Sequence, residues 1–214
     1  MSAMIFPIFS KPVYRQRLRV SGAKLKPVLK FLHENNFLTI KNTTILDIGQ
    51  NKNYVLESDR FKFLKDAILK EFNLFANNEL KHTCDWQITT SFFVRLDDGE
   101  EESFDVCNNS LYSGIYDLEA EENCGNLTFV NFEDRRLTTT HSEYNLLNAR
   151  KWSIEPKTEN VIFFPSEVYH RLEKNLSGNV RYSLAFNIMP KGRIQEDGLS
   201  DTLITLGNVN EQTH

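Results

Sequence analysis

A predicted strand near the C-terminus carries residues suited to binding a carboxylate. In the run VRYSLAFN, the two-residue period of a strand places Arg181, Ser183, the small Ala185 and Asn187 on one face. Arginine offers a planar fork to a carboxylate, serine adds a hydroxyl donor, and a small residue leaves room for a ligand. The opposite face is bulky and apolar, which predicts that it is buried. The polar face is then either the lumen of a barrel that holds an anion or an ordinary exposed surface.

A candidate metal ligand precedes this strand. The segment VIFFPSEVYHRL predicts a strand, a Pro-Ser break and a second strand, on which Val168, His170 and Leu172 share a face. A single histidine among apolar neighbours is more often a satisfied core or surface residue than a ligand. The position of His170 before an Arg-x-Ser strand is what makes it a candidate.

The predicted elements that position these residues divide the chain into a helical N-terminal part and a β-rich part that follows it. Apolar residues at helical spacing predict helices over residues 24–36 and 59–76. From Trp86 onward, short β-like runs are separated by polar or Gly/Pro-bearing breaks. These runs are 86–96, 111–118, 126–132, 149–155, 160–164, 167–172 and 180–188. Many short strands preceded by helices predict a mainly β, α+β protein: a sandwich or barrel with helices on one outer face.

Length and composition favour a soluble single domain. We expect one domain over residues 1–214, with a helical part (1–80), a β core (86–190) and a C-terminal extension (191–214). The net charge of -4 and the acidic run DDGEEE, without a basic stripe, argue against nucleic acid as a partner. Three cysteines, no signal-peptide architecture and no long apolar run predict a cytoplasmic protein that does not engage a membrane.

Four blocks of the chain resemble the 2-oxoglutarate/Fe(II) oxygenase superfamily, and in particular a small oxygenase family of marine bacteria and their phages. The blocks are residues 5–14, 90–118, 154–172 and 180–192. The last two are the most specific, because an FPS…H segment followed by R-x-S-x-x-F-N is hard to reach by chance. Together the blocks cover most of the chain in the expected order.

The resemblance implies a fold and a chemistry. The fold would be a double-stranded β-helix, or jelly roll, with Fe(II) at one mouth. His170 matches a metal-binding histidine of the family, and Arg181, with Ser183 beside it, matches the residue that pairs with the far carboxylate of 2-oxoglutarate. Such enzymes couple oxidative decarboxylation of 2-oxoglutarate to succinate with oxidation of a substrate C–H bond, most often a hydroxylation.

The chain departs from the family where the first two metal ligands belong. Alignment on the NS-x-x-SG motif places Asp105 and Cys107 at positions where the family has a histidine and then a second histidine or an acid. In one interpretation Asp105, Cys107 and His170 form an unusual metal site, which would favour softer metals and expose a thiolate to oxidation. In the other interpretation the metal site has been lost and the barrel persists as a scaffold.

Two functions follow from these interpretations. The chain is either an oxygenase acting on an unidentified substrate, with Fe(II) and 2-oxoglutarate as cofactors, or a non-catalytic structural or interaction module without them. A module of this kind would have a protein partner, for example in a phage particle. A cupin-like metal or small-molecule binder is a third interpretation, which the lack of a histidine cluster disfavours.

Overall fold

The structure, a computed structural model, describes residues 5, 9–132, 140–193 and 205–206. The strands are β1 (Tyr14–Arg17), β2 (Phe37–Ile40), β3 (Thr43–Leu46), β4 (Asp85–Leu96), β5 (Tyr112–Glu119), β6 (Leu127–Val130), β7 (Lys151–Ile154), β8 (Asn160–Pro165), β9 (Tyr169–Leu172), β10 (Arg181–Arg193) and β11 (Thr205–Leu206). The helices are α1 (Gly22–Glu34) and α2 (Lys62–Leu74). Short 3-10 turns lie between β3 and α2, and a π turn (Phe75–Glu79) follows α2.

The larger sheet is antiparallel and has the strand order β1-β8-β5-β10-β4-β3-β2, with β11 paired to β10. Its long central strands, β4 and β10, pair from Arg181 opposite Leu96 to Lys191 opposite Asp85. Strand β5 is hydrogen-bonded to the other edge of β10, and β8 is hydrogen-bonded to the far edge of β5. This arrangement places the lumen-facing residues of β5 and β10 side by side.

Both helices pack on the outer face of the larger sheet. Helix α2 buries Leu64, Ile68 and Phe72, which recur at helical spacing and form one apolar face. The Phe72 ring meets the ring of Phe163 on β8 edge-on, with centroids 5.1 Å apart. The apolar face of β10 lies in the same cluster, which includes Leu184. The prediction that helices cover this face is therefore confirmed.

The smaller sheet has the strand order β7-β6-β9 and is extended by the segment 99–107. Backbone hydrogen bonds tie that segment to β9, as from the Glu102 amide to the Leu172 carbonyl at 3.1 Å. The lumen between the two sheets holds a second apolar cluster, made of Val94, Leu96, Ile115, Leu127, Phe129, Ile162, Phe164 and Leu172. Two antiparallel sheets that face each other across such a core confirm the predicted mainly β jelly roll.

The N-terminal part, predicted as helical, contains three strands besides its helices. Strands β1, β2 and β3 lie within residues 1–80 and join the larger sheet at its two sides. The helices themselves are close to their predictions, with α1 at Gly22–Glu34 and α2 at Lys62–Leu74. The predicted extension over 191–214 lies outside the described residues, apart from the end of β10 and β11.

No helix within the described ranges is both long enough and apolar enough to cross a bilayer.

Candidate functional site

Strands β5 and β10 supply one wall of the lumen. Their lumen-facing residues lie directly opposite one another in three pairs: Ser183 with Asp117, Ala185 with Ile115, and Asn187 with Ser113. Directly opposite residues of an antiparallel pair share a face. The polar pairs therefore stand at the two ends of the wall, separated by the apolar pair. Four residues of strand, about 13 Å, separate Ser113 from Asp117.

One end of the wall holds the arginine cluster, which we define as Arg181, Asp117 and the carbonyl of Gly125. Arg181 is 1% exposed and Asp117 is fully buried. The arginine donates from Nε at 3.1 Å and from Nη2 at 2.6 Å to the same Asp117 oxygen, Oδ1, and from Nη1 at 2.7 Å to the Gly125 carbonyl. All three guanidinium nitrogens therefore have a partner within the protein.

Arg181 influences the pKa of two carboxyl groups. Burial raises the pKa of Asp117, and Arg181 opposes that rise. Burial raises the pKa of Glu102 to about 7, while the Thr43 hydroxyl and Arg181 oppose the rise and Asp105 adds to it. Asp117 is thus the carboxyl group in direct contact with Arg181, and Glu102 lies within electrostatic reach of the same cation.

His170 lies on the opposite wall, on β9. Its Nδ1 is 3.0 Å from the Val168 carbonyl, so Nδ1 carries the proton and Nε2 carries the lone pair in the neutral ring. The ring packs against Phe164, with centroids 4.6 Å apart. Burial lowers the pKa of His170, which favours the neutral form that binds metals.

Asp105 is brought next to His170. The two residues exchange both backbone hydrogen bonds, at 2.9 and 3.1 Å, as a directly opposed antiparallel pair. Their side chains therefore leave the backbone on the same face. Asp105 itself is exposed, and its Oδ1 accepts a 2.8 Å hydrogen bond from the Val106 amide.

Cys107 belongs to a different set of contacts, the serine cluster, which we define as Cys107, Ser113, Ser166 and Asn187. The Cys107 thiol lies beside the side chains of Ser113 and Asn187, and burial raises its pKa. Ser113 donates to Asn187 Oδ1 at 2.8 Å, so the 2.8 Å contact with Ser166 must be one in which Ser166 donates. The cluster is a polar network at the second end of the wall.

The predicted metal ligands do not assemble into a complete site. No group of three or more His, Cys, Asp or Glu side chains is placed to hold a metal ion in the part of the chain that the structure describes. Asp105 and His170 adjoin each other, and Cys107 lies beside Ser113 and Asn187 and within electrostatic reach of Asp105. A facial metal triad needs three converging ligands, so these residues do not fit Fe(II) as the oxygenase pattern would have it.

Asp117 and Glu102 were not among the residues singled out from the sequence. The strand LYSGIYDL contains a sequence signal for Asp117. The two-residue period of a strand places Asp117 on the same face as Ser113, and Asp117 is a charged residue in a strand that is nearly all buried. Gly114 of the same strand is explained by close packing, because a Cβ there would overlap the ring of Phe186. No comparable signal marked Glu102, which lies in an acidic run typical of a solvated loop.

Comparison with known proteins agrees with this architecture. Residues 90–187 match the family model described as "Putative 2OG-Fe(II) oxygenase". The chain resembles these oxygenases over its barrel and has their fold. The resemblance to the superfamily is therefore confirmed, while the more specific link to marine bacteria and phages stays a prediction. No curated protein matched the chain.

Solved structures show the same oxygenase fold at low identity. A prolyl-4-hydroxylase from Pseudomonas putida has a TM-score of 0.55 and 14% identity, covering 86% of this chain and 95% of that one. HygX from Streptomyces hygroscopicus, solved with nickel, 2-oxoglutarate and hygromycin B bound, has a TM-score of 0.59 and 10% identity, covering 84% and 83%. The carbocyclase SnoK from nogalamycin biosynthesis has a TM-score of 0.58 and 10% identity, covering 84% and 79%.

The residues predicted to bind 2-oxoglutarate fit it no better than the metal ligands fit iron. Ser183 is buried beside Arg181 on the lumen face, as the strand pattern predicted. Arg181, however, is paired with Asp117 rather than presented to the lumen as an uncompensated cation. The oxygenase fold is thus present, and within it Arg181 has a side-chain partner of this chain, Asp117.

Proposed function

We propose that this oxygenase-fold chain is a non-catalytic structural or interaction module. The observation that carries the proposal is the placement of Cys107 in the serine cluster, beside Ser113 and Asn187. A ligand position of the expected triad is thereby built into a polar network that joins both sheets of the barrel, because the Cys107 amide also bonds to the Ser166 carbonyl at 3.1 Å. Such a network stabilises the lumen as part of the fold.

The scaffold interpretation agrees with the way the lumen is filled. Between its polar ends the lumen is occupied by large apolar side chains, among them Phe129 and Phe164, both buried. Packing of this kind stabilises a domain without any cofactor. A fold can outlast the activity with which it is usually associated, because activity depends on the site rather than on the architecture.

A second candidate function is favoured by one observation. Neutral His170, with the Nε2 lone pair unprotonated, lies beside Asp105 on the same face. Imidazole and carboxylate are two of the three ligands in the usual iron triad. An oxygenase would then act on an unidentified substrate, with succinate as the co-product from 2-oxoglutarate.

Metal content and succinate release separate the two functions. Protein purified anaerobically from iron-supplemented cells is compared with the matched variant His170→Ala for bound metal, and both are assayed with Fe(II), ascorbate and 2-oxoglutarate. We expect the same trace metal content in both and no succinate above that from heat-inactivated protein. Fe(II)-dependent succinate release that His170→Ala loses would refute the proposal.

A restored ligand set provides the positive control. The double substitution Asp105→His and Cys107→Asp returns the histidine and the acid that the family has at these positions. We expect this variant to retain more metal than the wild-type chain, because three N/O ligands then lie on adjoining strands. Equal metal retention by the wild-type chain would show that Asp105, Cys107 and His170 already suffice.

A further inference from the structure

The contacts of Arg181 account for most of its hydrogen-bonding capacity. A guanidinium carries five N–H groups, and here Nε and Nη2 share one Asp117 oxygen while Nη1 bonds to the Gly125 carbonyl. The Nε–Nη2 edge, one of the edges that a carboxylate can bind side-on, is therefore taken by a side chain of the protein itself. The pair is out of contact with solvent, since both residues are at most 1% exposed.

The partners of Arg181 are held in place by backbone structure. Asp117 lies within β5, which is hydrogen-bonded to β10 on one side and to β8 on the other. Gly125 has a φ of +89°, and a Cβ at this position would overlap the Glu173 carbonyl. The Gly125 oxygen is therefore fixed in place by a turn that only glycine adopts without strain.

The charge around Arg181 is unfavourable for a dicarboxylate. Asp117 supplies one negative charge to the arginine through a 2.6 Å contact. A cation that is already matched inside the protein gains little from another anion, and like charges at close range repel strongly in a low-dielectric interior. A ligand with two negative charges would have to displace Asp117 or be buried beside it.

We propose that Asp117 is a built-in substitute for the far carboxylate of 2-oxoglutarate, and that the arginine cluster is a permanent ion pair which excludes dicarboxylates from the lumen. This inference rests on the proposed non-catalytic function and names the residue responsible for loss of the cosubstrate site. It also assigns the polar face of β10 a role in the fold: the anion that its arginine binds is part of the same chain.

Glutarate is the appropriate probe, because it has both carboxylates of 2-oxoglutarate and lacks the keto group that chelates iron. Thermal unfolding is measured with and without millimolar glutarate for the wild-type chain, Asp117→Ala, and Asp117→Ala combined with Arg181→Met. We expect no shift for the wild-type chain. Asp117→Ala should melt roughly 10 °C lower, since a buried arginine loses its partner, and should regain part of that loss with glutarate. The double variant should not respond to glutarate.

Two results would overturn the inference. One is stabilisation of the wild-type chain by glutarate that Arg181→Met removes. The other is a folded Asp117→Ala variant that glutarate does not stabilise. If Asp117→Ala does not fold, Asp117→Asn takes its place, because asparagine keeps an acceptor oxygen for Arg181 and removes the negative charge. Glutarate should stabilise this variant, and a folded Asp117→Asn chain that glutarate does not stabilise would overturn the inference.

The glutarate measurement is independent of the metal assays. A chain that binds iron at His170 and releases succinate would refute the non-catalytic function by the metal route. A chain that does not bind iron but binds glutarate through Arg181 would refute only the proposal that Asp117 takes the place of the 2-oxoglutarate carboxylate.

Discussion

The carbonyl oxygen of Gly125 accepts a 2.7 Å hydrogen bond from Nη1 of Arg181, and Gly125 has no room for a side chain. One backbone atom on the loop between β5 and β6 is thereby linked to the first residue of β10. The conformation of this glycine and the position of the buried arginine depend on each other. A substitution at either residue should lower the stability of the whole barrel.

Replacement of Gly125 tests that dependence. Gly125→Ala should lower the free energy of unfolding by about 3 kcal/mol or more, because it adds a backbone overlap to the cost of a positive φ. Gly178→Ala is the matched control, since Gly178 has a φ of +76° and open space around its Cβ position. It should lose only about 1–2 kcal/mol. Equal losses in urea denaturation would contradict this account.

The stability of the chain should depend on the protonation of Glu102. Its pKa is raised from 4.5 to about 7, so the folded state binds a proton more tightly than the unfolded state does. The resulting stability is fully present below about pH 4.5 and is lost as the pH rises through about 7, on the order of 3 kcal/mol in total.

Glu102→Gln isolates this contribution. The glutamine cannot ionise, so the difference in stability between variant and wild type should shift in favour of the variant as the pH is raised from 4.5 to 8. Denaturant melts at a series of pH values measure it. A difference that is constant with pH would mean that Glu102 titrates normally in the fold.

The serine cluster should stabilise the lumen. Ser113→Ala removes the donor to Asn187 and the acceptor for Ser166, and leaves buried polar atoms without partners. We expect a loss of about 1–3 kcal/mol in the free energy of unfolding. The exposed Ser142 provides the control, because Ser142→Ala should change stability by less than about 0.5 kcal/mol. Similar small losses at both positions would argue against the network.

The packing of α2 on the larger sheet makes a separate prediction. Phe72 is fully buried among aromatic rings, whereas Leu74, two residues later on the same helix, is 46% exposed. Phe72→Ala should cost about 3–5 kcal/mol, and Leu74→Ala less than about 0.5 kcal/mol. Thermal or urea unfolding monitored by circular dichroism distinguishes them. A large loss of stability in Leu74→Ala would mean that the face of α2 carrying Leu74, rather than the face carrying Phe72, packs on the sheet.

Most of the barrel was predictable from hydrophobic period and turn signals. The strand VRYSLAFN was assigned the correct faces because alternation of bulky and polar residues continues over its whole length. Strand β1 was missed because Tyr14–Arg17 is mostly exposed and reads as polar chain. The β2–β3 hairpin was missed because Lys41 and Asn42, both at positive φ, are not the Asn-Gly pair that marks such a turn.

The site was less predictable than the fold, because contacts across the lumen leave no local pattern. The adjacency of Asp105 and His170 depends on the segment 99–107 pairing with β9, and that segment has no strand-like alternation. The pairing of Arg181 with Asp117 depends on the register between β10 and β5. The alternation of residues along each strand predicts which side chains face inward. Which of these side chains contact each other depends on the register between the strands.

The internal pairing of Arg181 and Asp117 also bears on how the chain matures. A protein that needs a bound metabolite to neutralise a buried cation is more stable when that metabolite is abundant. Its folded population therefore depends on the metabolite concentration. Here both charges are encoded in the same polypeptide and come together when β5 and β10 align. The folded population should therefore not depend on the concentration of a dicarboxylate metabolite.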